Sequence, residues 1–166
     1  MEATSPPLAV RDAGARDAAL LLGLISELAE YERLSETVTG TEHDLAVALA
    51  GPAPAVEALI AERGGQIAGF ALFFTTFSTF LCQSGVWLED LFVRPAHRGA
   101  GVGRELMAQV ARRAVQRGAG RLEWSALHWN KPALGFYSQL GARTMDDWIT
   151  HRLEGGALRG VAAPPV

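Results

Sequence analysis

The stretch Leu88-Glu-Asp-Leu-Phe-Val-Arg-Pro-Ala-His-Arg-Gly-Ala-Gly-Val-Gly103 decides the fold that this sequence predicts. Residues 86–93 are mostly β-branched, aromatic or otherwise apolar, so they predict a strand, which Pro95 ends. Glycines at 99, 101 and 103 then precede a strongly helical run. The order strand, loop, helix therefore predicts backbone N–H groups that point out of a helix start.

The composition of this loop indicates an anion site. Glycine lets the backbone approach an anion closely, and the helix dipole favours negative charge at the helix start. Arg94, His97 and Arg98 add side-chain donors beside the glycines. The predicted ligand is a phosphate ester, and the alternative is a glycine-rich turn that binds nothing.

Two common phosphate-binding motifs do not fit the loop. A P-loop needs a Gly-Lys pair, and Lys131 is the only lysine of the chain. A dinucleotide fingerprint needs G-x-G-x-x-G, whereas the spacing here is G-x-G-x-G, and the acidic Glu123 falls inside a predicted strand. The pattern Arg98-x-x-Gly101-x-Gly103 instead resembles the pyrophosphate loop of the GNAT acyl-CoA N-acyltransferases.

Composition and length predict one α/β (α+β) domain. With 166 residues and 49% hydrophobic residues, the chain can bury a sizeable core, and we expect a single domain over 1–166 with loose tails at 1–7 and 155–166. The net charge of -3 argues against nucleic acid as a partner and is compatible with a cationic substrate. We expect a cytoplasmic protein, because no membrane span or signal peptide is visible. No metal is expected, because the histidines lack ligand spacing.

Hydrophobic periodicity predicts a mixed sheet with helices on both faces. The predicted strands are Leu8–Arg11, Val56–Glu62, Gln66–Thr75, Val86–Val93, Leu122–Leu127 and Ile149–Leu153, and the predicted helices run from Arg16 to Arg33, Thr41 to Gly51, Gly101 to Arg117 and Pro132 to Leu140.

Two adjacent carboxylates interrupt the apolar strand that precedes the loop. In a regular strand Glu89 and Asp90 would point to opposite faces of a covered sheet, and one of them would be buried. A bulge, or a split from the neighbouring strand, would open a wet cleft there. The pair then predicts a general base or a subsite for a cation, and the alternative is an ion pair with a nearby arginine.

Two further candidates lie downstream. Asn130 precedes a predicted helix, where a helix cap and a ligand contact are both open interpretations. Tyr137 lies two helical turns later, where an amphipathic core position is the alternative to a catalytic role. A phenol with a pKa of about 10 suits protonation of a departing thiolate.

The span Leu8 to Leu153 resembles the diamine/polyamine acetyltransferase family within GNAT, which includes spermidine/spermine and thialysine acetyltransferases. Two positions depart from the family pattern. The family often has a tryptophan a few residues before Leu-Glu-Asp, whereas the nearby positions here are Leu81, Cys82, Gln83 and Ser84, with Trp87 in a different register. Acidic Glu30 stands where a basic residue is common. The matching segments are Glu27-Leu-Ala-Glu-Tyr-Glu32, Leu88-Glu-Asp-Leu-Phe-Val93, Arg98-Gly-Ala-Gly-Val-Gly103 and Trp129-Asn-Lys-Pro-Ala followed by Phe136-Tyr137.

The resemblance implies a GNAT fold with a split between strand Val86–Val93 and the following parallel strand. It also implies a homodimer that transfers acetyl from acetyl-CoA directly to a primary amine of a small diamine, polyamine or thialysine-like substrate. The alternatives are an enzyme for peptide or protein amines and a catalytically silent CoA-binding protein. Glu89 would be the water-mediated base and Tyr137 the acid; Tyr31, Glu32, Glu89 and Asp90 would contact the amine; and Leu91, Phe92, Val93, Arg98, Gly99, Ala100, Gly101, Val102, Gly103, Arg104, Asn130 and Ala133 would hold acetyl-CoA.

Overall fold

The computed structural model describes residues 6–163, which form two compact units with a boundary after Ser125. The first unit contains a five-stranded sheet whose strands follow one another in chain order, and of its neighbouring pairs only the last is parallel. The elements of the first unit are β1 (Leu8–Ala13), α1 (Ala18–Glu32), α2 (Glu42–Ala48), β2 (Glu57–Arg63), β3 (Gln66–Ser78), β4 (Gln83–Val93), α3 (Val102–Gln116) and β5 (Leu122–Glu123).

The sheet is buried on both faces, as the periodicity predicts. Ile60 and Phe70 are cross-strand partners and share one apolar cluster with Leu24 of α1. Leu59 precedes Ile60, so it faces the opposite side, where α3 packs on the sheet. The mixed sheet with helices on both faces is therefore confirmed. The stripe that α3 buries consists of Val102, Leu106, Met107, Val110 and Ala114.

Local signals in the sequence account for several element ends. The hairpin between β2 and β3 turns at Gly64 and Gly65, whose φ angles of 60° and 76° suit glycine. Helix α2 begins with a reciprocal capping box, in which the Asp44 N–H donates to the Thr41 hydroxyl and the Thr41 N–H donates to the Asp44 carboxylate. Helix α1 ends at Arg33, which adopts a left-handed conformation with φ 61°.

The second unit contains α4 (Lys131–Gln139) and α5 (Gly155–Ala162). The strand predicted at Ile149–Leu153 is wrong, because the described part of this unit offers no strand to pair with it. Helix α5 covers most of the segment from residue 155, its residues are exposed, and the loose tail there stays a prediction. The predictions for residues 1–5 and 164–166 lie outside the described residues.

The strand predicted at Leu122–Leu127 is much shorter than expected, because β5 ends at Glu123. Its pairing with β4 consists of Val86 with Leu122 and Trp87 with Glu123. No described helix is both long and apolar enough to cross a membrane.

Candidate active site

A bulge in β4 positions the two adjacent carboxylates. Leu72 of β3 pairs with Asp90, whereas the next residue, Phe73, pairs with Leu88. Glu89 is therefore the extra residue of β4, with no partner of its own in the ladder. The predicted bulge is confirmed at the position where the sequence places the carboxylates.

The bulge also changes the faces to which the side chains of β4 point. Directly paired residues share a face, so Asp90 lies with Leu72 on the α1 side of the sheet, whereas Leu88 lies on the opposite side. The Nε1 of Trp87 donates a hydrogen bond to Oε2 of Glu89 over 2.8 Å. Trp87 precedes Leu88 and so points to the α1 side. Its hydrogen bond holds the Glu89 side chain on that side. The opposite orientation of Glu89 and Asp90 expected for a regular strand is therefore not observed.

A cavity of about 480 Å³ opens beside this bulge. Its acidic lining includes Asp90 of β4 and Glu32 of α1, and its apolar walls include Ile25, Leu28 and Leu45. The segment between α1 and α2 completes the lining with Leu34 and residues 37–41. An acidic end beside an apolar wall suits a small organic cation with a short hydrocarbon chain.

Two carboxylates that line this cavity, Glu32 and Asp90, have raised pKa values. Burial, with smaller contributions from the charges of Glu89 and Glu32, raises the pKa of Asp90 to about 6. Burial also raises the pKa of Glu32. None of the three forms an ion pair with a described basic residue, so the arginine-pair alternative finds no support. A cationic ligand would relieve the repulsion among them.

Beyond Trp87, β4 parts from β5, as the predicted split requires. The β4–β5 ladder ends at the pair Trp87–Glu123, and from Leu88 onward no described strand pairs with this edge of β4. On its other edge β4 stays paired with β3 as far as Val93. The segment Leu91–Val93 is thus held by the sheet on one side and presents an open edge on the other.

The glycine loop that follows β4 presents a row of backbone donors. Gly99 and Gly101 have φ angles of 73° and 82°, and α3 begins at the next residue, Val102. From Gly99 to Arg104 no backbone N–H donates to an acceptor of the described residues. These N–H groups at a helix start match the predicted anion site.

The basic side chains near the loop divide into two roles. Arg94 forms two hydrogen bonds to the Glu27 carboxylate, over 2.9 and 2.5 Å, and a third to the Ile67 carbonyl. Its predicted role as an anion donor is wrong, because α1 and β3 already engage its guanidinium. Arg98 differs, since only its Nε donates a hydrogen bond to a described residue, and the acceptor is the Val93 carbonyl. Its guanidinium lies 4.7 Å above the ring of Tyr31, so the loop and the end of α1 meet there.

The second unit places Asn130 at the start of α4. The Oδ1 of Asn130 accepts a hydrogen bond from the Ala133 N–H over 3.3 Å, which confirms the capping interpretation. Tyr137 is half-buried in the same helix, and its ring lies 5.3 Å from that of Phe136. The cofactor roles of Asn130 and Ala133 and the catalytic role of Tyr137 stay predictions.

Sequence reasoning missed two features of the site. The hydrogen bond from Trp87 to Glu89 had a signal, since residues two apart on a strand share a face. The cavity lining between α1 and α2, which includes Thr37 and Val38, had none, because loop residues of these types carry no chemical motif.

The site thus combines an open strand edge, a bulge with paired carboxylates and a helix start whose N–H groups donate to no described residue. The chain belongs to the Acetyltransferase (GNAT) family, whose model matches residues 25–142. Among curated relatives, the thialysine N-epsilon-acetyltransferase of Bos taurus is 35% identical over 92% of this chain and 96% of its own length. The L-ornithine N5-acetyltransferase of Arabidopsis thaliana is 42% identical over 57% of this chain and 42% of its own length.

Comparison with solved structures identifies the same fold. An aminoglycoside N-acetyltransferase in complex with CoA superposes with a TM-score of 0.71 at 19% identity, covering 93% of this chain and 100% of that one. At this identity the likeness shows the fold alone. The family match and the fold together make the chain an acetyltransferase of the GNAT type.

Proposed function

We propose that this acetyltransferase transfers acetyl from acetyl-CoA directly to a terminal primary amine of a small substrate with a second cationic group. The observation that carries the proposal is the cluster of Glu32, Glu89 and Asp90 on the α1 side of the sheet, beside the glycine loop. Thialysine and ornithine, which occur in the names of two relatives, each carry an α-ammonium as well as the side-chain amine. Diamines and polyamines share this second cation.

Acetyl-CoA would occupy the loop and the open edge of β4. The N–H groups from Gly99 to Arg104 suit the pyrophosphate, and Arg98 has terminal nitrogens that no described residue engages. The open edge of Leu91–Val93 would pair with the extended amide arm of CoA. We also assign Asn130 and Ala133 to the cofactor site, on the family resemblance.

The amine would lie where the cavity meets the bulge. Tyr31 and Glu32 end α1, and Asp90 faces the same cavity as Glu32, so the second cation would bind between these two carboxylates. The reacting amine would then lie beside Glu89. Charge-assisted contacts of this kind contribute about 1.5–3 kcal/mol each.

The proposed chemistry needs a base and an acid. The ammonium of the substrate has a pKa of about 10 and must lose a proton before attack, which Glu89 would accept through water. A backbone N–H near Leu91 would stabilise the negative oxygen that develops on the acetyl group. The neutral amine would attack the acetyl carbonyl directly, so that its nitrogen takes the acetyl group without a covalent enzyme intermediate. As the C–S bond breaks, Tyr137 would donate its proton to the CoA thiolate.

A thiol-release assay tests the proposal. Acetyl-CoA is supplied with thialysine, ornithine, lysine, spermidine, 1,3-diaminopropane, propylamine and short peptides in turn. We expect kcat/KM for 1,3-diaminopropane to exceed that for propylamine by about ten- to a hundredfold, and added salt to shrink the difference. Preference for peptides would favour an enzyme for peptide or protein amines. Acetyl-CoA binding without turnover of any amine would favour a silent CoA-binding protein.

The role of Tyr137 has a separate test. Tyr137→Phe removes only the phenolic proton, so we expect kcat to fall about tenfold while the KM for acetyl-CoA stays within about twofold. Phe136→Leu is the control, because it changes the neighbouring ring without touching the phenol. A kcat within about twofold of the parent would assign thiolate protonation to water.

Two further proposals come from the sequence, the second of them from the family resemblance. We assign the protein to the cytoplasm and expect it to act as a homodimer. Size-exclusion chromatography with light scattering would measure the mass, and a mass equal to that of one 17.7 kDa chain would contradict the dimer.

A further inference from the structure

Trp87 and Glu89 have very different backbone support. Trp87 is the last residue of β4 that has a partner on both sides, with Phe74 on β3 and Glu123 on β5. Glu89 is the extra residue of the bulge, and from Leu88 onward the edge that faced β5 is open among the described strands. The indole Nε1 of Trp87 donates to Oε2 of Glu89 over 2.8 Å. A residue fixed on both sides thus holds the side chain of a residue that the ladder does not fix.

This hydrogen bond distinguishes the two oxygens of the Glu89 carboxylate. Oε2 accepts the indole N–H, whereas Oε1 accepts no hydrogen bond from a described residue. The negative charge of Glu89 lies close enough to Asp90 to contribute to the raised pKa of Asp90, so repulsion would favour rotation of Glu89 away from Asp90. The indole donor opposes that rotation and leaves Oε1 as the oxygen able to accept a proton.

We propose that Trp87 is a positioning residue for amine acetylation: its indole N–H fixes the Glu89 carboxylate so that Oε1 faces the water or amine that gives up the proton. The inference rests on the proposed function, in which Glu89 is the base. Trp87 itself touches neither substrate. Its effect should therefore fall on the rate of the chemical step and not on acetyl-CoA binding.

Trp87→Phe is the direct test, since it removes the N–H and keeps an aromatic ring. With the best amine of the panel, we expect kcat to fall about five- to tenfold and the KM for acetyl-CoA to stay within about twofold. Trp148→Phe is the matched control, because Trp148 is 72% exposed and makes no part of the described site. An unchanged kcat in folded Trp87→Phe would overturn the inference.

A double-mutant cycle separates positioning from packing. If Trp87 acts through Glu89, Trp87→Phe should add no further loss of kcat in a Glu89→Gln background. Losses that multiply would show that Trp87 acts independently of Glu89, and would overturn the inference. Wild-type activity of Glu89→Gln would overturn the proposed base together with this inference. If Glu89→Gln lost most of its kcat while Trp87→Phe kept the full kcat, this inference alone would be overturned.

A spectroscopic measurement does not depend on activity or on the folding of a Trp87 variant. In ¹H–¹⁵N NMR spectra, we expect Glu89→Ala to shift the indole N–H resonance of Trp87 strongly, because the carboxylate acceptor is lost. The Trp148 resonance should not move. A Trp87 resonance that is the same in both proteins would show that the hydrogen bond is not formed in solution, which would overturn the inference.

Discussion

The two halves of β4, residues 83–88 and 89–93, have opposite properties. Up to Leu88 the side chains alternate regularly, and Val86 and Leu88 are each 1% exposed. From Glu89 onward the strand is bulged, its outer edge is open, and two carboxylates point to the side of α1. Regular pairing therefore stabilises the first half, whereas the interruption of pairing makes room for chemistry in the second.

The largest effect should come from the regular half. Leu88→Ala removes a fully buried side chain, so we expect the free energy of unfolding to fall by about 2–5 kcal/mol. Denaturant titration measures the loss. The same change in the exposed Leu34 is the control and should have an effect below about 0.5 kcal/mol. If both variants lost a similar free energy of unfolding, the regular half of β4 would have no special role in stabilising the fold, which would contradict the comparison.

The next effect should come from the first residue of the irregular half. Glu89→Gln removes the proposed base, so we expect kcat to fall about a hundredfold, which corresponds to about 2.7 kcal/mol. Stability should change by less than about 0.5 kcal/mol, because Glu89 is exposed and unpaired in the ladder. Stopped-time assays and denaturant titration measure the two quantities separately. If Glu89→Gln lost much of its stability and kept a normal kcat, Glu89 would support the fold and not the chemistry, which would contradict the comparison.

The glycine loop extends the irregular half, and the two ends of α3 provide a matched pair. Gly101 and Gly118 both have positive φ, of 82° and 66°, and a Cβ at either would meet open space. Alanine at either position should cost about 1–2 kcal/mol of stability through the left-handed backbone alone. Only Gly101→Ala should also raise the Kd for acetyl-CoA, by about tenfold. Equal affinities by calorimetry would argue against a phosphate site at this loop.

Much of this contrast could be predicted from the sequence, because its signals are local. The apolar run, Pro95 and the glycine spacing identify the strand, the loop and α3, and Thr41 with Asp44 identifies the start of α2. Chemical type also selected the two carboxylates as candidates. These features depend on neighbours within a few residues, so one sequence is enough to show them.

The features that failed depend on partners distant along the chain. Arg94 is held by Glu27, 67 residues away, and no local pattern marks that pair. The length of β5 depends on where β4 departs from it, and the segment Ile149–Leu153 has a strand-like composition without a strand partner among the described residues. The choice between a bulge and a split at the carboxylates was open as well, because the pairing of Leu72 and Phe73 of β3 decides it.

The smallest effect concerns Asp90, where the requirements of stability and function oppose each other. Its folded pKa of about 6 lies above its ordinary value of 3.8, so the folded protein binds the proton more tightly than the unfolded chain does. The stabilising contribution is fully present below pH 3.8 and is lost as the pH rises through about 6. At neutral pH the ionised carboxylate therefore destabilises the fold.

Asp90→Asn should consequently stabilise the protein at pH 7.5, by about 1 kcal/mol, and the gain should vanish near pH 4. The same variant should lose part of the preference for a dication, because one of the two carboxylates of the cation subsite becomes neutral. In the parent that preference should weaken as the pH falls through about 6, with Glu32 and Glu89 as the other acidic groups near Asp90. Asp147→Asn is the control, since Asp147 is exposed and does not line the cavity. Urea titrations at both pH values, with kcat/KM for 1,3-diaminopropane and propylamine, measure the two effects. A variant that loses stability at pH 7.5 and keeps the full preference would show that Asp90 supports the fold and does not bind the substrate.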